Sequence, residues 1–405
     1  MTSETRVAVV GGGQAGLSVS YWLQRFDVDH IVFERAEAGD SWKKRWDSFC
    51  LVTPNWSLRL PGFPYAGSDP DGFMPRDDIV DYVRRYRRFV DPPLGPLEVR
   101  KITPDDGRWL LETDSGAHTA QSVVVAGGSF QTASLPKGAE SISSHVAQIH
   151  SSEYRNPSQL PTGAVLVVGS AQSGCQIVDD LRSEGREVWL SVSSAVRIPR
   201  RYRGRDVFAW LRETGFLELP MSQHPEGPEA RYSANPHVSG RDGGKELNLR
   251  EFGQSGVRLV GRFAGADGAK IRFKSDLEQR IETADEACRQ IESNLDGYIE
   301  EADIEAPADD RIPVEWGPTG VPTQIDLDEE GITSVVWATG FSRDYSWIEG
   351  LETDGHGYPI EQRGVTDLAG LYFVGLHGMH TIGSGLFYGV GTDAEYVVGH
   401  LTSRS

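Results

Sequence analysis

Cysteine is scarce in this sequence: Cys50, Cys175 and Cys288 are the only 3 in 405 residues, and no two of them form a C-x-x-C pair. That spacing excludes a disulfide framework, a redox dithiol and a thiolate zinc site, and no metal site is expected. Positive charge is in deficit too, with 40 Lys and Arg against 59 Asp and Glu, a formal net charge of −19. Nucleic acid and anionic membrane surfaces would be repelled, so neither is expected as a partner. No apolar run approaches the roughly 18 residues of a membrane span. The chain enters the strand-like VAVV directly, with no export leader, which makes a cytoplasmic protein the expectation.

Glycine, by contrast, is abundant, at 46 residues. With the valine-rich runs it predicts an α/β fold, whose tight strand-to-helix turns need residues without a Cβ. The chain exceeds the roughly 250–300 residues at which single cores stop growing, so two domains are expected. A strand, a helix and a strand are predicted at 6–10, 14–24 and 30–34, and the same order returns at 164–168, 173–182 and 187–192. Further strands are predicted at 123–126, 335–338 and 371–374, the last two returning near or into the first domain. Residues 203–250 read as loops. Residues 276–301 read as a covering helix, spaced by Leu277, Ile281, Ile291, Leu295 and Ile299.

Two of the strand-to-helix turns carry phosphate-cradling chemistry. In VAVVGGGQAG, Gly11, Gly13 and Gly16 form G-x-G-x-x-G, with Gln14 and Ala15 completing the turn. The first glycine permits the turn, the second lets a pyrophosphate approach the backbone, and the third lets helix and strand pack closely. Unpaired N–H groups and the helix dipole favour the anion. Glu34, followed by Arg35, ends the second strand, where a carboxylate accepts hydrogen bonds from a ribose diol and repels a 2′-phosphate. In VLVVGSAQSG, Gly169 and Gly174 keep the frame with Ala171 in the middle place, and Ser170, Gln172 and Ser173 complete the turn. No acid ends this second strand. Ser193 stands there instead, followed by Arg197, Arg200, Arg201, Arg203 and Arg205. Two readings stay open for these arginines: Arg197 and Arg201 fork onto the 2′-phosphate of NADPH, or the cluster pairs with carboxylates of an acidic protein.

Two dinucleotide turns in one chain point to a flavoprotein in which a nicotinamide dinucleotide reduces FAD. The segments GDSWKKRWDS (39–48), LVTPNWSLRLPGFPY (51–65), HSSEYRNP (150–157), VVWATGF (335–341) and SGLFYGVGTDAEYV (384–397) resemble the bacterial flavin-containing monooxygenase-like family over nearly the whole chain. The resemblance implies that Ser41, Trp42, Arg45 and Trp46 pack about FAD, and that the ATG turn with Thr339 and Gly340 joins the two domains. It also implies that Ser384 and Leu386 begin a helix facing the flavin. Taken singly, Trp42 and Trp46 read equally well as core aromatics. Asn55 occupies the place of a flavin-proximal asparagine and is the one catalytic candidate, with an ordinary loop asparagine as the other reading. The family fingerprint F-x-G-x-x-x-H-x-x-x-W/Y is only half kept: anchored on His150, it ends correctly at Tyr154 but begins with Ser144 and Val146. That departure disfavours Baeyer–Villiger chemistry. His377 and His380 stand where relatives carry other residues, and read either as proton or substrate groups or as structural histidines.

The expected architecture is therefore α/β, with two doubly wound Rossmann-type dinucleotide-binding domains, the second inserted in the first. Residues 1–155 and 332–405 would form the FAD-binding domain and 156–331 the NADP-binding domain. The expected activity is a monooxygenase using FAD, NADPH (or NADH) and O2, which by the resemblance acts through a C4a-(hydro)peroxyflavin on a nucleophilic nitrogen or sulfur of a small molecule. An NAD(P)H oxidase or electron-transfer reductase is the alternative, a nucleotide-binding regulatory protein a third reading, and a homodimer is left open.

Overall fold

The computed structural model describes residues 3–403 and places the two glycine turns on two separate sheets, the first mixed and the second all parallel. In the first sheet Ser3–Val10 is central, paired in parallel with His30–Phe33 on one side and Gly116–Val125 on the other. Gly116–Val125 is long enough to serve two further neighbours. Its first half runs antiparallel to Arg108–Thr113, and its last three residues run parallel to Leu371–Phe373. Helix Gln14–Arg25 follows the first turn. The C-terminal helix Val390–Ser403 packs against it, with the Trp22 indole N–H donating to the Gly391 carbonyl at 3.1 Å.

The second sheet has the order Ala147–His150, Ile332–Trp337, Ala164–Val168, Val188–Ser191, Arg258–Val260, all parallel. Val7, Ala8 and Val9 in the first sheet and Val165, Leu166 and Val167 in the second have no exposure. Parallel strands are covered on both faces, which is why both segments read as unbroken apolar runs rather than as alternation. Helix Gln172–Ser183 follows the second turn, and an antiparallel sheet of Phe263–Asp267, Lys270–Phe273 and Gln324–Asp326 covers the other side.

This topology corrects the expected domain boundaries. Ile332–Trp337, assigned from sequence to the first domain, is an interior strand of the second sheet, and Ala147–His150 is its edge. The physical reason is pairing: Ile332–Trp337 fills the gap between Ala164–Val168 and Ala147–His150, and its Trp337 is buried against Phe263. Leu371–Phe373 does return to the first sheet as expected. The predicted covering helix is Leu277–Glu301, buried at Leu277, Ile281, Leu295 and Ile299. Within 203–250 the expected loop contains a helix, Val207–Glu213, capped by the Asp206 carboxylate on the Phe208 N–H at 2.9 Å. It is too short to show a period in the sequence.

The two turns are built alike. Gly11 donates its N–H to the Phe33 carbonyl at 2.9 Å, and Gly169 does the same to Ser191 at 3.0 Å. A Cβ on Gly16 would stand 1.8 Å from the Gly11 carbonyl oxygen, and one on Gly174 would stand 2.0 Å from that of Gly169. Gly16→Ala and Gly174→Ala should each destabilise the protein by at least about 1–3 kcal/mol in denaturant titration. Gly297→Ala, in a helix with nothing within 4 Å of the added methyl, should be neutral or stabilise by up to about 1 kcal/mol.

Candidate dinucleotide sites

Each turn ends at the uncapped start of a helix. Gly13 and Ala171 precede their helices in extended conformation, with no side chain closing the first N–H groups. Gly11 (φ +110°) and Gly169 (φ +104°) lie where an L side chain is strained. A Cβ at Gly11 would also meet the Ala126 carbonyl oxygen at 2.6 Å, and one at Gly169 that of Ala338 at 2.4 Å. Gly13 differs: nothing lies within 4 Å of its missing Cβ. The backbone there is open to an incoming group, and free N–H donors at a helix start fit a pyrophosphate.

Around the first turn, Glu34 accepts from the N–H of Gly12 at 2.6 Å and of Ala36 at 2.8 Å, which holds its carboxylate beside the turn. The Gln14 amide donates to the Gly385 carbonyl at 2.8 Å and accepts from the Trp42 indole at 3.2 Å. Trp42 stacks on Phe387, centroids 5.2 Å apart. One glutamine therefore ties together the helix start, the 39–48 segment and the C-terminal loop with Ser384 and Leu386. Arg45 lies over Phe49 and Phe130, and among the described residues no carboxylate is within ion-pair reach of it. Burial lowers its pKa, yet an arginine stays charged, so its guanidinium suits an anionic or electron-rich ligand. Trp46, by contrast, is 2% exposed and packs edge-on against Phe49 as a core residue. Ser41 is exposed, and Arg35, also exposed, pairs with Glu98. The Asn55 amide donates to the Asp69 carbonyl at 2.9 Å, while its Oδ1 is buried with no partner among the described residues. That oxygen is available to a ligand donor.

The C-terminal loop is packed onto the first helix start: a Cβ on Gly375 would meet that of Ala15 at 2.6 Å. Ser384 accepts through its hydroxyl from the N–H groups of His380 and Thr381. Burial lowers the pKa of both His377 and His380, with Arg343 and Arg231 adding to the effect at His377 and Arg363 at His380. Both are neutral imidazoles at neutral pH. Two acids behind this loop gave no sequence signal. Glu361, 3.4 Å from Arg231, is pushed by burial from 4.5 up to about 7, and Asp393 is pushed from 3.8 up to about 6.

At the second turn, the Ser170 hydroxyl accepts from the Ser193 N–H at 2.9 Å and donates to the Ser194 carbonyl at 3.0 Å, pinning the strand end. The Gln172 amide is bound to the Pro236 carbonyl, and Ser173 is half-buried in the first turn of its helix. Of the arginines, Arg197 is committed to Glu246 at 2.5 Å and Asp285 at 2.7 Å, and Arg200, Arg203 and Arg205 are paired with Asp206, Asp296 and Glu213. Arg201 donates to the Gly243 carbonyl and lines a cavity of about 330 Å³ that no residue of the glycine turn borders. Four of the five arginines of the cluster are thus committed to carboxylates of the chain itself. Between the two units, the Thr339 hydroxyl donates to the Ser134 carbonyl, and within the second unit the His150 ring is bonded to the Gly340 carbonyl. The A-G-G turn at 126–128 repeats the A-T-G turn at 338–340 in both sequence and position, a match legible in the sequence but read there only for the second.

Two uncapped helix starts behind glycine turns, each following a parallel-paired strand of its own sheet, define an oxidoreductase fold with two dinucleotide sites. Residues 8–213 match the pyridine nucleotide-disulphide oxidoreductase family, and the chain belongs to it. It is 35% identical over 402 residues, 98% of either chain, to an uncharacterized CzcO-like oxidoreductase of Geobacillus kaustophilus. A flavin-containing monooxygenase from Stenotrophomonas maltophilia shares its fold, with a TM-score of 0.68 at 19% identity, covering 100% of this chain and 99% of that one. So does S-allyl-L-cysteine S-oxygenase from Allium sativum, with a TM-score of 0.61 at 15% identity, over 99% and 77%. The expected likeness to flavin-containing monooxygenases therefore holds for the fold. The three cysteines are free, Cys175 and Cys288 buried and Cys50 half-buried. No helix among the described residues is long and apolar enough to cross a membrane.

Gly13→Ala should fold with an unchanged denaturation midpoint, because φ at Gly13 is −77° and the space is open, while losing at least ten-fold in dinucleotide affinity by fluorescence titration. Glu361 takes up a proton in the folded state at a pH where the unfolded chain has lost it, so stability should fall as pH rises from about 4.5 to about 7. Glu361→Gln should flatten that part of the stability profile in urea titrations.

Proposed function

We propose that the chain is a flavin-dependent monooxygenase that takes its electrons from NADPH and inserts one atom of O2 into a nucleophilic nitrogen or sulfur of a small molecule. The observation that carries the reading is the duplication of one phosphate-cradling turn, at Gly11–Gly16 and Gly169–Gly174, on two sheets joined through Ser134 and the 338–340 turn. The shared fold with a flavin-containing monooxygenase and an S-oxygenase supports it.

FAD would lie on the first turn, its pyrophosphate over Gly13 and its ribose beside Glu34, with Trp42, Arg45 and the 384–387 loop around the rest. The nicotinamide dinucleotide would lie on the second. Bound FAD supplies a ring that accepts a hydride and passes its electrons on to oxygen. The residues of this chain bind, orient and keep dry. Gln14 holds Trp42 and the C-terminal loop in one arrangement, Asn55 presents a carbonyl oxygen with no other partner among the described residues, and burial beside Arg343 and Arg231 favours the neutral ring of His377. The balance is NADPH, H+, O2 and substrate in; NADP+, water and oxygenated substrate out.

Purified protein should be yellow, and NADPH should bleach it without oxygen. In air, an amine or sulfide substrate should speed NADPH consumption while suppressing peroxide release. Consumption that always yields equimolar peroxide, whatever compound is added, would instead mark an NADPH oxidase. Asn55→Ala should retain anaerobic bleaching but lose at least ten-fold in product formed per NADPH.

A further inference from the structure

The end of the second unit's inner strand shows how that unit would tell NADPH from NADH. The hydrogen bonds Gly11 N–H to Phe33 and Gly169 N–H to Ser191 align the two units residue by residue, so that Val192 stands where Glu34 stands in the first. In the first unit the Glu34 carboxylate organises the turn through Gly12 and Ala36; in the second the Ser170 hydroxyl does so through Ser193 and Ser194. A negative group has been replaced by neutral ones at the place where the adenosine ribose is read.

A positive charge is brought to this place by a segment remote in sequence. Arg280, in the first turn of Leu277–Glu301, donates through Nη1 to the Ser193 carbonyl at 2.8 Å and through Nε to Asp276 at 2.7 Å. Its remaining nitrogen, Nη2, makes no hydrogen bond among the described residues. The same Asp276 accepts from the Arg262 N–H at 3.0 Å, which places a second, exposed arginine beside the first, with no carboxylate among the described residues in ion-pair reach of its side chain. The 261–262 loop is fixed against the strand, since the Ser191 hydroxyl donates to the Gly261 carbonyl at 2.9 Å.

We infer that Arg280, assisted by Arg262, is the specificity-determining residue that recognises the 2′-phosphate of the nicotinamide dinucleotide, in place of the Arg197–Arg205 cluster. The inference rests on the reading of the second turn as the nicotinamide dinucleotide site. Asp276 sharpens the selection: it holds the guanidinium in position, and without Arg280 it would leave a carboxylate there with only Arg262 to offset it.

The test is calorimetric titration of the flavin-loaded protein with 2′,5′-ADP and with 5′-AMP, alongside anaerobic reduction by NADPH and NADH. In the wild type 2′,5′-ADP should bind at least ten-fold more tightly than 5′-AMP. Arg280→Gln should lose about ten- to hundred-fold in affinity for 2′,5′-ADP and in NADPH KM, the range for a hydrogen bond to a charged group, with 5′-AMP and NADH within about two-fold of wild type. Arg280→Lys should recover part of the loss. Equal weakening of both nucleotides would make Arg280 a clamp for the 193–194 backbone and overturn the assignment. Should Arg280→Gln not fold, Arg262→Gln at its exposed position reads the same difference on a smaller scale, and no difference there overturns the assignment as well. A wild type that binds the two nucleotides alike would refute the NADPH reading itself, which is a separate outcome from a discriminating wild type that Arg280→Gln leaves unchanged.

Discussion

The structure depends on the contact of a glycine backbone with the carbonyl oxygen of a neighbouring strand, made once in each unit. Gly11 lies against Ala126 and Gly169 against Ala338, at distances that leave no room for a Cβ. Because the turn is that tight, the helix that follows starts close above the strand end, its N–H groups directed outward and uncapped. A dinucleotide phosphate is the natural partner for such donors. Everything else that bears on function is positioned relative to those two helix starts: the C-terminal loop by its contact with Ala15, Trp42 by Gln14, and the 193–194 backbone by Ser170.

The long excursion at 203–250 has a structural task that its composition conceals. It reaches back over the first unit, where Met221 donates to the His380 carbonyl at 2.7 Å, Gly383 donates to Leu217 at 3.1 Å, and Arg231 meets the buried Glu361. The loop that borders the first dinucleotide site is thereby held from both units. Most of the arginines that look conspicuous in an acidic sequence are consumed in such internal pairs. A buried pair such as Arg197 with Glu246 and Asp285 contributes little net stability, but removing one partner strands the others at a cost of roughly 3–5 kcal/mol. These ion pairs fix how the insertion sits.

Much of this was legible in the residues. The strand-helix-strand order around each glycine turn was predicted with ends within a few residues, because tight turns and doubly buried strands leave strong local marks: glycines at set spacings and unbroken valine runs. Glu34 follows the second strand and accepts from the turn's Gly12 N–H, since strand length and turn position fix its location. What failed was long-range. Ile332–Trp337 reads like any buried strand, and nothing local says which of two sheets it joins. Arg197 follows the right strand closely in sequence, yet Glu246 and Asp285 reach it from 49 and 88 residues away.

The sequence alone determined that two phosphate-cradling turns exist, because that property is a matter of backbone conformation written in glycine spacing. It also determined that the first turn carries an acid and the second does not. Only the tertiary structure decided which cations are free and which are spent, because an ion pair depends on the separation of side chains in space. It was the folded chain that carried Arg280 from a distant helix to Ser193 and bound Arg197 away from the same strand end.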